Sequence, residues 1–250
     1  MSENDLTIPG GKLRLHVEAP LGAGLHVTPD DQQAHYLIHV MRAKPGDRIS
    51  LFNGRDGEWS ARIAEVTKRA CSLECDRKIA EQTEVPDVWL CFAPIKKTPA
   101  DFVVQKATEL GVRALQPVST RRTIVSRVNL ERMRANAVEA AEQSGRLSVP
   151  EVREPVSFEK FLSSWPRDRR LVFCDEGGDA QPIAAALEAK EAQPFAIFTG
   201  PEGGFDPVER EALRSQSFVV PVSLGPRILR ADTAALAALA IWQSVRGDWK

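Results

Sequence analysis

The stretch Phe195-Ala196-Ile197-Phe198-Thr199-Gly200-Pro201-Glu202-Gly203-Gly204-Phe205-Asp206-Pro207-Val208-Glu209 decides the fold. Its first four residues are continuously apolar, as in a strand buried on both faces. Its middle is a glycine-rich turn. Its end, Asp206-Pro207-x-Glu209, is a capping box that starts a helix. Strand, tight loop and helix make the repeating unit of a parallel sheet covered on both sides. The alternation continues in both directions. Upstream, Val88 to Phe92 reads as a strand, followed by a helix capped by Thr98 and opening at Pro99. That helix closes before Gly111. Ala114 to Val118 is a strand, and Leu130 to Gln143 is a helix ended by Ser144-Gly145. Leu171 to Cys174 is a strand, followed by a helix through about Lys190. Downstream, Phe218 to Val222 is the last strand and Thr233 to Val245 the last helix.

Before residue 80 the period changes from helical to alternating. Leu13-Arg14-Leu15-His16-Val17 alternates apolar and polar, as do Arg48 to Phe52 and Trp59 to Val66. The turn Asn53-Gly54-Arg55-Asp56-Gly57 joins the last two. Ala70 to Cys75 reads as one more strand. A single helix interrupts them, with Thr28 as N-cap, Pro29 at its first position and its end near Met41. The expectation is a compact β-barrel with one helix over residues 1–78, a polar linker from Ile79 to Pro86, and an α/β unit over 79–250.

Composition limits the function classes. The 250 residues hold 33 basic and 34 acidic side chains, a net charge of −1, which excludes a bulk polycation. The charge is uneven. Residues 96–134 carry nine basic side chains (Lys96, Lys97, Lys106, Arg113, Arg121, Arg122, Arg127, Arg132, Arg134) against three acidic ones, a net +6. Such a cluster attracts phosphates or serves as a solvated helix face. The longest apolar run, Ala234 to Trp242, is too short for a membrane helix of about 20 residues. The N-terminus lacks the layout of a secretion signal. Cys71, Cys75, Cys91 and Cys174 form no C-x-x-C pair, which suggests buried thiols in a reducing cytoplasm and no metal cluster. His35 and His39 share a helix face, but no third ligand type joins them.

Two loops lie beyond strand carboxyl ends, where open parallel sheets bind ligands. One is Thr199 to Gly204; the other is Ser223-Leu224-Gly225-Pro226-Arg227-Ile228-Leu229-Arg230. Neither carries the Lys-Ser/Thr of a P-loop or the spacing of a dinucleotide fingerprint. A ligand held by main-chain amides and carbonyls, with an adenine and a cation in place of phosphates, suits them better. S-adenosylmethionine is such a ligand. Two tight turns at the sheet edge would account for the same glycines.

Several motifs, in order, give the chain a family resemblance. Gln105 to Val112 (QKATELGV), Pro117 to Arg122 (PVSTRR), Glu139 to Arg146 (EAAEQSGR) with Pro150, Gly200 to Gly204, and Leu224 to Arg230 resemble the signatures of the SPOUT methyltransferases. The match is to the bacterial small-subunit ribosomal RNA uridine N3-methyltransferases. In the first module, His35-Tyr36-Leu37-x-x-Val40-Met41-Arg42 with Gly46-Asp47 is similar to the family's PUA-like barrel. One departure is Asp232, where the family has glutamate.

The resemblance implies an α/β fold with a deep trefoil knot in the C-terminal domain, a PUA-like barrel before it, and a homodimer packed through the knot region. It implies S-adenosylmethionine as cofactor, bound by Thr199, Gly200, Pro201, Glu202, Gly203, Gly204, Leu224, Gly225, Arg227, Ile228, Leu229 and Arg230. It implies 16S rRNA as partner, within the small ribosomal subunit, methylated at N3 of a uridine (1498 in the family's usual numbering). N3 carries a proton, so Glu202 and Asp232 are candidate bases and Arg230 a candidate partner for a uridine carbonyl. The expected RNA contacts are His35, Arg42, Lys106, Arg121, Arg122, Arg127 and Arg146. The alternatives are a methyltransferase of another RNA and a non-catalytic ribosome-assembly factor.

Overall fold

The computed structural model describes residues 7–8, 11–177, 179–188 and 193–249. Two compact units emerge. The first comprises Met1–Glu84 with Ala141–Val149, the second Val85–Ala140 with Pro150–Lys250. The division is therefore discontinuous, where a single boundary at 78/79 was expected.

In the first unit, a short hairpin of β1 (Thr7–Ile8) and β2 (Gly11–Lys12) precedes β3 (Arg14–His16) and β4 (His26–Val27). The long strands are β5 (Arg48–Phe52), β6 (Glu58–Val66) and β7 (Cys71–Ala80). They make a five-stranded sheet, in the order β3-β5-β6-β7-β4, that curls as a half-barrel. The period-2 pattern explains the curl's inner face. Leu13, Leu15, Ile49, Leu51, Ala61, Ile63, Leu73 and Cys75 all point into one core.

The helix expected over residues 28–41 is shorter and starts later. α1 spans Asp31–His35, and its N-cap is Asp30, which accepts from the Gln33 amide while Gln33 reaches back. This capping box outcompetes Thr28 and leaves Pro29 outside the helix. The chain continues as a π-helical turn over Tyr36–Val40. It then reverses at Arg42, whose φ of 54° is the left-handed conformation.

Segment 141–149 joins this unit through Arg14. Its guanidinium donates to the carbonyls of Ala141 (2.9 Å), Glu142 (3.1 Å) and Arg146 (3.0 Å), and its Nε to Glu58 (2.9 Å). Phe52, Ala141 and Leu147 share a small apolar cluster beside it. No local pattern announces such a return of the chain.

The second unit begins with β8 (Val88–Phe92), α2 (Lys97–Glu109) and β9 (Ala114–Ser119), followed by α3 (Leu130–Ser144). α2 starts before the expected Thr98 cap: Lys96 is its N-cap, with no side-chain cap hydrogen bond. Next come β10 (Glu151–Val152), β11 (Val156–Ser157) and α4 (Phe158–Ser163), then β12 (Arg170–Cys174). β13 (Gln181–Pro182) leads into α5 (Ile183–Glu188), and β14 (Phe195–Thr199) into α6 (Pro207–Arg214). β15 (Val219–Ser223) and α7 (Ala231–Val245) complete the unit. The two-residue strands and α4 escaped the sequence reading because they are too short to show a period. The expected extension of α5 to Lys190 lies outside the described residues.

Every pairing in this sheet is parallel, with the order β10-β9-β8-β14-β12-β15-β13 and β11 beside β9. Phe195 to Thr199 are all buried, as continuous apolar runs in parallel sheets require. One side packs an aromatic cluster of Phe158, Phe161, Trp165, Phe173, Phe198, Phe205 and Phe218. Burying each such ring contributes about 2–3 kcal/mol relative to exposure. In α7, Ala235, Ala238, Leu239 and Trp242 are buried in the unit's own core.

Candidate cofactor cavity

Four adjacent parallel strands, β8, β14, β12 and β15, end at one place. A cavity of about 800 Å³ opens there, within the size range of small-molecule sites. Thr199 closes β14 and Ser223 closes β15, and both line the cavity. Between them β12 contributes Cys174, Asp175 and Glu176, while Ile95 and Pro99 come from beyond β8. The strands that lead into the two glycine loops are not neighbours: β12 stands between them, and its own loop forms a third wall. The sequence reading passed over that wall, although Cys174-Asp175-Glu176 follows an apolar strand directly and runs into Gly177-Gly178.

Of the residues expected to bind cofactor, Thr199, Gly200, Pro201, Glu202, Gly204, Leu224, Gly225, Arg227, Ile228, Leu229 and Arg230 line the cavity. Gly203 does not. Its carbonyl accepts from Arg122 at 2.9 Å. Gly204 takes φ +67°, and a Cβ there would overlap the Glu176 carboxylate. Gly200 has a different reason to lack a side chain. A Cβ would sit 2.8 and 2.9 Å from the Phe205 ring. The loop closes on itself through Gly204 N–H to the Pro201 carbonyl (2.9 Å).

Asp175 is the structural anchor of the third wall. Its buried carboxylate accepts from Arg210 (2.7 Å), Arg214 (2.6 Å) and the Gly177 amide (3.0 Å). Burial alone would raise its pKa, but the Arg210 bond, then the Gly177 and Arg214 bonds, outweigh that and hold it below its ordinary value. Asp179 pairs with the same two arginines. The Cys174 thiol is pushed up to about 12 by burial, so it presents a neutral, soft edge to the cavity.

The lining suits a cationic ligand with an adenine better than a phosphate. Glu176, Glu202 and Asp232 bring carboxylates beside the arginine-paired Asp175, and among the described residues no lysine lines the cavity, although Arg227 and Arg230 do. Arg230 is also the N-cap residue of α7, and its carbonyl accepts from the Ala234 amide (2.8 Å). Asp232 accepts from the Thr233 amide (2.8 Å).

The expected RNA contacts divide into two groups. His35, Arg42 and Arg127 are exposed, with the His35 ring 4.8 Å from that of His39. Lys106 is engaged with Glu109 (2.6 Å), Arg146 donates to Ser148 (3.3 Å), and Arg121 reaches Asp206 (3.3 Å). Among the described residues no group of three or more His, Cys, Asp or Glu side chains is placed to hold a metal ion. No described helix is long and apolar enough to cross a membrane.

Comparison with known proteins follows this geometry closely. The RNA methyltransferase domain model matches residues 81–243, and the RNA methyltransferase PUA domain model matches 29–74. Ribosomal RNA small subunit methyltransferase E of Synechocystis is 35% identical over 86% of this chain and 71% of its own length. The protein of that name from Rickettsia conorii is 32% identical over 84% and 86%. The chain belongs to the small-subunit ribosomal RNA methyltransferase E family. A crystal structure of the Neisseria gonorrhoeae member, bound to S-adenosyl methionine, superposes with a TM-score of 0.83. It shares 28% identity and covers 95% of this chain and 99% of its own. The SPOUT-type α/β unit preceded by a PUA-like unit, expected from the motifs, is what the family members share with this chain.

Proposed function

We propose that this chain methylates N3 of a uridine in 16S rRNA, at position 1498 in the family's usual numbering, using S-adenosylmethionine. The observation that supports this most is the cavity at the ends of β8, β14, β12 and β15, whose main-chain walls and the carboxylates of Glu176, Glu202 and Asp232 fit an adenosyl cation. The Neisseria gonorrhoeae relative is crystallised with that ligand. When bound, the cofactor supplies an electrophilic methyl group, and the remaining chemistry belongs to the chain.

The harder task is the nucleophile, because N3 of uridine is only weakly acidic. Glu202 or Asp232 takes the N3 proton, and Arg230 holds the negative charge that develops on a uridine carbonyl. All three residues line the cavity. Thr199, Gly200, Gly204, Leu224 and Gly225 present main chain to the cofactor. The base must leave its stack to reach the site, so the target is unpaired or flipped out. Exposed Arg127, Arg42 and His35 position the RNA through its phosphates. A homodimer packed through the α7 region and a cytoplasmic site of action belong to the same reading.

Mass spectrometry of rRNA digests from cells lacking the chain tests it. One methyluridine should be missing, and restored by the wild-type chain. An unchanged digest, or a loss confined to transfer RNA, would refute the assignment. Arg230→Ala should lower kcat at least a hundredfold while cofactor affinity changes less than threefold.

A further inference from the structure

The turn after β9, read from sequence as a phosphate-contacting strip, is also a brace for the cofactor loop. Thr120 and Thr123 close it: the Thr120 amide donates to Thr123 Oγ1 (2.9 Å) and the Thr123 amide to the Thr120 carbonyl (3.0 Å). From this fixed turn the Arg121 amide donates to Glu209 Oε1 at 2.9 Å. Glu209 is 2% exposed and also completes the Asp206 capping box of α6. The Arg121 guanidinium reaches Asp206 Oδ1. Arg122 Nη1 donates to the Gly203 carbonyl at 2.9 Å, and its stem lies along Gly203, 3.6 to 3.7 Å from where a Cβ would stand. The strip thus holds both Gly203 and the start of α6.

Arg122 is exposed, and its guanidinium has five N–H donors in a rigid planar fork. One donor satisfies the Gly203 carbonyl; the remaining donors can take a phosphate oxygen without breaking that bond. Ordering a long side chain costs conformational entropy, which falls on whichever ligand binds first and spares the second. We propose that Arg122 is a positioning residue that couples RNA phosphate binding to the order of the 199–204 loop, so that rRNA and the methyl donor each tighten the other's binding. This rests on the proposed function.

The test measures the dissociation constant of S-adenosylhomocysteine, which cannot react, by calorimetry on the full chain with and without unmethylated 16S rRNA transcript. Saturating RNA should tighten wild-type binding roughly five- to tenfold, within the usual range of coupling between sites. In Arg122→Ala that ratio falls to one, and the free-chain affinity drops several-fold. Arg122→Lys, which keeps charge and a donor but loses the fork, gives an intermediate ratio. Arg127→Ala weakens RNA binding yet keeps the full ratio at saturation. A purely structural Arg122 would weaken cofactor binding equally with and without RNA, and an unchanged ratio in Arg122→Ala overturns the proposal. A wild-type ratio of one overturns it as well. A wild-type chain that binds no S-adenosylhomocysteine removes the proposed function itself.

Discussion

The two loops that enclose the cavity differ in how they are held. Loop 199–204 is pinned at each step: Thr199 is buried, Gly200 lies under the Phe205 ring, Gly203 is gripped by Arg122, and Gly204 sits against Glu176. Loop 224–230 has exposed residues from Gly225 to Ile228, and Ile228 is 92% exposed. Its hydrogen bonds lie at its two ends, from the Gly225 amide to Ser223 Oγ (3.2 Å) and from the Ala234 amide to the Arg230 carbonyl (2.8 Å). Loop 199–204 is therefore held at more points, and loop 224–230 has the larger share of order to gain from a ligand. The lesson is that glycine content does not separate them, since both loops were read from sequence as equivalent ligand turns. What separates them is the packing brought in by α6, β12 and the turn after β9.

The sharpest way to break this comparison is within the pinned loop. Gly204→Ala should abolish measurable cofactor binding. Holding an alanine in the left-handed conformation and displacing Glu176 together cost about 2–4 kcal/mol, which calorimetry would register as a loss of at least thirtyfold. Gly200→Ala should cost less, about 1–2 kcal/mol, because the Phe205 ring has to yield by a fraction of an ångström. Its thermal unfolding midpoint should fall along with its cofactor affinity. If either variant binds cofactor like the wild type, the pinned wall is not the binding wall.

Hydrogen exchange compares the loops directly. In the free chain, amides of 224–230 should exchange at least about tenfold faster than those of 200–206, as few packed contacts permit local opening. S-adenosylhomocysteine should protect 224–230 more than 200–206. Equal protection would mean that the two walls are equally preformed. Gly203→Ala should change cofactor affinity by less than about 0.5 kcal/mol. Its Cβ finds ordinary contact with the Arg122 stem, and the residue does not line the cavity. The sequence grouped Gly203 with its neighbours, so a large effect there would restore the simpler reading of a uniform glycine motif.

Acid gives the smallest effect and separates the two units. Burial lowers the pKa of His16 from its ordinary 6.5, although Glu18 opposes this. A group depressed in the folded state withholds a proton that the unfolded chain accepts. Its stability contribution is thus present above about pH 6.5 and lost as pH falls through the folded value. Asp175 has the same sign in a lower window: its contribution is complete above its ordinary 3.8 and is lost only below that. Exchange measured at pH 7 and pH 5 should show the first unit loosening while the amides around Asp175 keep their protection.

Much of the fold was legible because the signals were local. Alternation marked Leu13 to Val17, and a continuous apolar run marked Phe195 to Phe198. The capping box marked Asp206, where α6 begins at Pro207. The helix after Thr28 was misplaced because Asp30 with Gln33 makes a better cap than the one chosen. Most of the cavity lining was legible for the same reason that the strands were, since parallel sheets put their ligands at carboxyl ends.

The sequence by itself determined the order of the long strands and helices, the two glycine turns and the cationic turn, because each depends on neighbours only a few residues away. Tertiary structure alone decided that β12 stands between the loops and lends Glu176 to the cavity, that Arg14 gathers segment 141–149 into the first unit, and that Arg122 grips Gly203. Each of those joins residues 28 to 132 positions apart. Strand order and long-range hydrogen bonds follow from how whole faces pack, and that packing leaves no trace in the spacing of adjacent residues.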